Sequence, residues 1–206
     1  MASHEDLRNL ICEIGRRMYA KNLVSATDGN ISVRLEGGEF LVTRSGVAKG
    51  FMRPDDLVIA NGAGEKVSGT GKVSSEFFTH LAAYEERPDI QAVVHAHPPK
   101  VIGLTLAGQS LTELLLPEVV FSVGGVPTTE YATPASKEGA VVIRKLIREC
   151  DAVLLDRHGA VTVGDDVMDA YFKMEKTEQA AEWRLTAALF GRAVAVMGEA
   201  EAKMLV

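Results

Sequence analysis

The sequence predicts an α/β fold in which a mixed or mainly antiparallel sheet is covered by helices on both faces. Three observations carry that reading. Stretches with apolar residues at helical spacing are interspersed with short β-like runs. Several of those runs are joined by hairpin-length turns, which only antiparallel neighbours can use. A chain of 206 residues, 47% hydrophobic and 24% charged, can bury one sizeable core, so residues 1–206 read as a single domain.

From residue 3 to about 22, Leu7, Leu10, Ile11, Ile14 and Met18 share one helical face, with Glu13, Arg16 and Arg17 elsewhere. Ser3 and Asp6 have the spacing of a capping box. β-like runs follow at 31–35, 40–43 and 57–60, the first two joined by a Gly37-Gly38 turn. Ser74 or Ser75 is expected to cap a helix reaching about residue 86, which Arg87-Pro88-Asp89 ends. A strand at 91–94 comes next. Pro98 and Pro99 fit the start of a short helix through residue 106, because proline there loses no helical hydrogen bond.

Gly124-Gly125 and Pro127 mark turns around a strand expected near 126–130. Helical spacing returns over 136–148, followed by strand 152–155, a His158-Gly159 turn and strand 160–163. A long helix is expected from Asp165 or Asp166 to about residue 190. Its apolar stripe comprises Val167, Ala170, Tyr171, Met174, Ala181, Leu185 and Ala188.

Charge and composition narrow the function classes. A formal charge of −6 and a pI near 5.4 oppose a nucleic-acid footprint, which needs clustered Lys and Arg. The group Arg144, Lys145, Arg148 reads as the solvated side of a helix. Mean hydropathy is +0.07, and no apolar run reaches the roughly 18 residues of a spanning helix. The opening Met1-Ala2-Ser3-His4-Glu5-Asp6 places acidic residues where a secretory signal is basic, so a cytoplasmic location is expected. Cys12 and Cys150 are expected to be buried or inert thiols.

The chemistry concentrates on histidine. In Val94-His95-Ala96-His97 the two imidazoles stand at i and i+2, which project from one face of a strand. His158 follows another apolar strand, and Glu76 in Ser74-Ser75-Glu76 adds a carboxylate. Three nitrogens and one oxygen suit zinc or a similar divalent ion. His4 is expected in solvent, and His80, one helical turn after Glu76, on the helix surface or in the core. Thr27-Asp28-Gly29-Asn30, Thr43-Arg44-Ser45-Gly46 and Ser74-Ser75 each fit an ordinary turn or cap. Beside a metal site, their hydroxyls, amides and glycines together fit a phosphate cradle.

Asp28-Gly29-Asn30-Ile31-Ser32-Val33-Arg34, Ser74-Ser75-Glu76, Val94-His95-Ala96-His97, Tyr131-Ala132-Thr133 and Arg157-His158-Gly159 occur in an order that resembles the class II aldolase/adducin family. The likeness covers nearly the whole chain and is greatest to its zinc-dependent L-fuculose-1-phosphate aldolase branch. It implies a three-layer α/β/α fold with a central, mostly antiparallel sheet and a homotetramer with active sites at subunit contacts. It also implies that His95, His97 and His158 are metal ligands, with Glu76 as an exchangeable ligand and acid/base. Asn30, Ser45, Gly46, Ser74 and Ser75 match positions that hold the substrate phosphate. An ungapped count back from Gly124-Gly125 places Glu118 where the fuculose-phosphate enzymes carry a tyrosine, which makes Glu118 a further catalytic candidate. Tyr131 belongs to another motif, and no C-terminal tyrosine is present.

The implied reaction is reversible cleavage of a ketose 1-phosphate, of fuculose, ribulose or deoxypentulose type, to dihydroxyacetone phosphate and an aldehyde. A divalent ion, with zinc leading and manganese or cobalt as alternatives, would stabilise the enediolate as a Lewis acid. With no Schiff-base lysine, a carboxylate beside the ion must carry the proton. Relatives on the same platform epimerise, dehydrate or decarboxylate sugar phosphates, and adducin-type members bind without catalysis. Retention of all three histidines and the glutamate favours an enzyme.

Overall fold

The computed structural model describes residues 4–191 and 194–205. Among them, α1 (His4–Ala20) leads into β1 (Asn30–Arg34), β2 (Phe40–Thr43), β3 (Leu57–Ala60) and β4 (Lys66–Ser68). Then follow α2 (Phe77–Glu86), β5 (Ala92–Ala96), α3 (Pro99–Leu106), α4 (Pro117–Ser122) and α5 (Lys137–Ile147). β6 (Ala152–Leu155), β7 (Gly159–Gly164), α6 (Val167–Leu189) and α7 (Glu199–Lys203) complete the order. The strands form one seven-stranded sheet in the order β4-β3-β2-β1-β5-β7-β6. Every strand pair in it is antiparallel.

Strand alternation explains the three layers. Ile31 and Val33 of β1, Leu41 of β2, Ala92, Val94 and Ala96 of β5 and Leu154 of β6 join one apolar cluster with α1, α3 and α6. Phe40, Val42, Val93, Val153 and Val161 face the opposite way, into a second cluster with α2 and α5. The expected cover on both faces is therefore present. No described helix is long and apolar enough to cross a membrane.

Several local expectations need correction. The strand expected at 126–130 is absent. Val126 and Thr128 make only isolated bridges, to Leu111 and Leu154, because each finds one partner and no continuing edge. Neither Ser74 nor Ser75 caps α2, whose first turn is preceded by Glu76. The Ser74 hydroxyl accepts the Glu76 N–H at 3.4 Å, so it shapes the approach to the helix. Strand β4 and helix α4 carry too few residues to show a period. The stripe of α6 is buried only as far as Ala181, and Leu185 and Ala188 are exposed. Ser3 lies outside the described residues, so the capping box at Ser3 does too. Cys12 is buried and Cys150 half-buried, both free thiols.

Candidate metal centre and active site

Strand register assembles the site. Asn30 of β1 lies directly opposite His95 of β5, and His95 in turn lies opposite Val161 of β7. The β6–β7 hairpin delivers His158 to the same end of the sheet. Gly159 must be glycine there, because a Cβ would stand 2.1 Å from the Ala96 carbonyl oxygen. Arg157 adopts φ 55°, a left-handed conformation costly for a residue with a side chain, and so turns the chain sharply ahead of His158.

The four predicted ligands converge. One ligand atom from each of Glu76, His95, His97 and His158 lies within 4.8 Å of all the others. His95 Nε2 is 3.1 Å from His97 Nε2 and 3.3 Å from Glu76 Oε2. His158 Nε2 is 3.1 Å from Glu76 Oε1. A tetrahedral zinc with bonds of about 2.0–2.1 Å needs its ligands roughly 3.3 Å apart, so these three separations suit neighbouring ligands of one ion.

An outer hydrogen bond on His95 and a nearby carboxylate on His97 indicate which nitrogens are free to bind. His95 Nδ1 donates to the Ala160 carbonyl at 2.9 Å, which leaves the Nε2 lone pair aimed into the cluster. His97 Nδ1 faces Asp28 Oδ2 at 3.5 Å, with the same result. Two unprotonated nitrogens this close repel one another, and a cation between them removes the conflict. The donor set therefore fits a divalent metal ion.

The charges respond accordingly. Burial works against the Glu76 carboxylate, but until a cation displaces the proton from His95 Nε2, the His95 charge and hydrogen bonds from His158 and His95 outweigh it and hold its pKa far below the carboxylate range. Burial depresses His95, yet the adjoining Glu76 carboxylate raises its pKa overall. Burial, reinforced by His95 and His158, lowers His97 to about 4. His97 is thus neutral near pH 7, as a metal ligand must be.

Glu76 also stands between two cavities. One, of 250 Å³, includes Asp28, Asn30, Ser45, Gly46, Ser74 and Ser75 in its lining. The other, of only 20 Å³, lies against Thr129, Ala132, Thr133, Ala135, Asp156 and His158. All five residues matched to phosphate binding thus line one cavity. The Asn30 side-chain amide donates to Glu76 Oε2 at 3.0 Å, and its Oδ1 is buried without a partner among the described residues.

Glu118 is not brought to this cluster. It is exposed on α4 and borders a separate cavity with Leu115, Trp183 and Arg184. His80 takes the core role. It is fully buried, with Nδ1 2.6 Å from Ser32 Oγ, and burial lowers its pKa to about 3.

The sequence reading missed three contributors. In the sequence Asp28 reads only as part of a turn, although a carboxylate two residues before Asn30 is a signal for a partner to a histidine. Lys49 lies buried in the wall of the larger cavity, and a lone lysine in a polar turn carried no signal at all. The Ala160 carbonyl, which orients His95, is invisible in any side-chain pattern.

Fold and site together define an α/β protein with a Glu/His cluster able to hold a metal ion, and the comparisons place it in a family. Residues 9–185 match the model for the Class II Aldolase and Adducin N-terminal domain. The chain belongs to the class II aldolase and adducin family. It is 33% identical over 190 residues to a 3-oxo-tetronate 4-phosphate decarboxylase of Cupriavidus necator, covering 90% of this chain and 87% of that one. An L-fuculose phosphate aldolase of Methanococcus maripaludis is 32% identical over 177 residues, covering 86% and 94%. A solved L-fuculose 1-phosphate aldolase superposes with a TM-score of 0.91 at 29% identity, covering 100% of this chain and 96% of the other.

Proposed function

We propose that this protein is a divalent-metal aldolase that reversibly cleaves a ketose 1-phosphate to dihydroxyacetone phosphate and an aldehyde. The observation that carries the proposal is the position of Glu76, in contact with the histidine cluster and lining both cavities. A bound divalent ion, zinc in the first instance, supplies Lewis acidity for a developing enediolate when held by His95, His97 and His158.

The chain's own residues do the rest. Asn30, Ser45, Gly46, Ser74 and Ser75 receive the phosphate in the larger cavity and so fix where the carbon chain runs. The Glu76 carboxylate takes or returns the proton at the carbon adjoining the carbonyl. The Asn30 amide has two hydrogens. One holds Glu76 and leaves the other for the phosphate, which ties the proton carrier to substrate occupancy. Asp28 and the Ala160 carbonyl keep the two imidazoles in their binding tautomers.

Decarboxylation of a 3-oxo-tetronate phosphate is the second reading, supported by the relative that bears that name. Against it, neither Lys nor Arg is among the residues lining the smaller cavity. Arg157 lies outside that lining and pairs through Nε with Asp156 at 3.0 Å, so among the described residues no Lys or Arg lines the cavity to receive a substrate carboxylate. A neutral aldehyde half fits better.

The assembly is proposed to be a homotetramer in the cytoplasm, each copy contributing residues 1–206 as one domain. Leu189 and Phe190 at the end of α6 and Phe121 on α4 are 79%, 78% and 67% exposed. These exposed apolar side chains on two helices would suit a contact with another copy of the chain. Glu118, remote from the cluster within one chain, reaches a site only across such a contact.

The test is to supply zinc, manganese or cobalt to the purified protein and offer several ketose 1-phosphates and a 3-oxo-tetronate phosphate. Release of dihydroxyacetone phosphate together with an aldehyde from a ketose 1-phosphate supports the aldolase reading. Release of carbon dioxide and dihydroxyacetone phosphate from the 3-oxo-tetronate phosphate, with no aldehyde from any ketose 1-phosphate, replaces that reading with the decarboxylase.

A further inference from the structure

The side chain of Lys49 is 1% exposed, yet it belongs to the wall of the 250 Å³ cavity. Its Nζ donates to the Thr27 carbonyl at 2.9 Å and to the Val47 carbonyl at 2.7 Å. Those carbonyls belong to the two turns that carry Asn30 and Ser45-Gly46. One ammonium therefore bolts the two turns together.

Its backbone is equally constrained. A Cβ on Gly15 of α1 would lie 2.6 Å from the Lys49 carbonyl oxygen, and one on Gly50 would lie 2.5 Å from the Tyr19 ring. The segment is clamped against α1, and its side chain has one direction left to take.

The charge bookkeeping of the cavity singles out the same residue. Arg44, the other cation in the lining, is paired with Asp56 at 2.6 Å. Asp28 stands toward His97. Among the described residues no carboxylate lies within ion-pair distance of Lys49 Nζ. A buried ammonium without a counter-ion is expensive to maintain, and two carbonyls leave its third hydrogen uncommitted. An anion entering the cavity would complete both its charge and its hydrogen bonding.

We propose that Lys49 is the positioning residue that makes this cavity selective for a dianionic phosphate monoester, by bracing the Thr27 and Val47 turns and standing as the cavity's unpaired positive charge. The proposal rests on the reading of this cavity as the phosphate site. It goes beyond that reading by assigning the site's electrostatics to a residue outside the phosphate motifs.

The experiment uses the full chain loaded with zinc and titrates inorganic phosphate calorimetrically into wild type, Lys49→Met and Lys49→Gln. Metal content and melting temperature are recorded alongside. Gln removes the charge yet keeps amide N–H donors, one bond shorter, for the carbonyls, so it stays informative if Met unfolds the protein. Loss of a close, poorly solvated charge predicts that phosphate Kd rises by about tenfold or more in both variants. KM for the phosphorylated substrate should rise in parallel, with kcat within about threefold and metal content unchanged. Wild-type affinity in Lys49→Gln overturns the proposal, since bracing alone would then suffice. Wild-type protein that binds no phosphate overturns the cavity assignment beneath it, a failure visible before any variant is made.

Discussion

The cavity on the Ser45 side of Glu76 and the cavity on the Thr133 side differ in volume, backbone and charge. The first measures 250 Å³ and takes its lining from the ends of β1 and β2 and the approach to α2. The second measures 20 Å³ and takes much of its wall from residues 129–135, which lie outside helix and strand. Charged side chains and hydroxyls dominate the first, while small apolar residues and threonines line the second. Ala135 holds φ 57° there without the freedom of glycine. The contrast teaches where reaction specificity resides. Under the proposed function, a phosphate needs the same fixed donors whatever is attached to it, whereas the other half of the substrate would be read by irregular chain that can change without disturbing the sheet.

Glu76 is the one acidic side chain lining both cavities, so its replacement gives the largest effect. Glu76→Gln is expected to keep much of its metal and lose about 10²- to 10⁴-fold in kcat, the usual worth of a positioned acid/base. Stopped-flow assay with parallel metal analysis measures both. Undiminished turnover would remove Glu76 from the chemistry and leave the two cavities unconnected.

Asp28 tests the first cavity's link to the metal. Asp28→Asn leaves the shape and removes the charge facing His97 Nδ1 at 3.5 Å. Loss of such an outer partner costs about 10- to 100-fold in metal affinity, measurable by competition with a chromogenic chelator. An unchanged zinc Kd would show that His97 is held by its backbone alone. That is a real alternative, because the His97 N–H already donates to the Leu23 carbonyl at 2.9 Å.

The second cavity is tested by filling it. Ala132→Leu adds three carbons to a wall with little spare volume, and overpacking of about 1–3 kcal/mol corresponds to a loss of roughly tenfold or more in kcat/KM. Inorganic phosphate should bind as in wild type. A parallel loss of phosphate affinity would show that the two cavities are mechanically one.

The same contrast explains what the sequence made legible. His95 and His97 could be paired because a strand's period of two is rigid, and β1, β2, β5, β6 and β7 were readable from alternation and their bounding turns. Glu76 and His158 joined them through resemblance and composition, and the geometry agrees. Asn30 was readable as a cavity residue, but its bond to Glu76 depends on cross-strand register, which no local pattern encodes. Residues 126–130 have strand-like composition but meet the edge strand β6 only around Leu154, where the pairing stops. The end of α6 kept its apolar period although nothing within the chain covers Leu185 and Ala188. Lys49 was unreadable because its role comes from the clamp of α1 on residues 49–51, a tertiary contact between segments more than thirty residues apart.

That buried lysine supplies the smallest effect. Burial lowers the Lys49 pKa to about 8, opposed only in part by the charges of Asp28 and Glu76, while Arg44 is neutralised by Asp56. The unfolded chain therefore holds this proton over a window from about 8 up to the ordinary lysine value near 10.4, where the folded chain has released it. Because the unfolded state binds more protons there, this group's contribution to folding stability rises with pH across that window. Phosphate binding should move the opposite way, since the anion needs the charged form. Corrected for the ligand's own ionisation, affinity should be level below about pH 8 and then fall, by severalfold per unit, in the zinc-loaded wild type. Lys49→Gln, already weakened, should show no such inflection. An inflection that survives in Lys49→Gln would assign the titration to another group and leave the first cavity's charge unexplained.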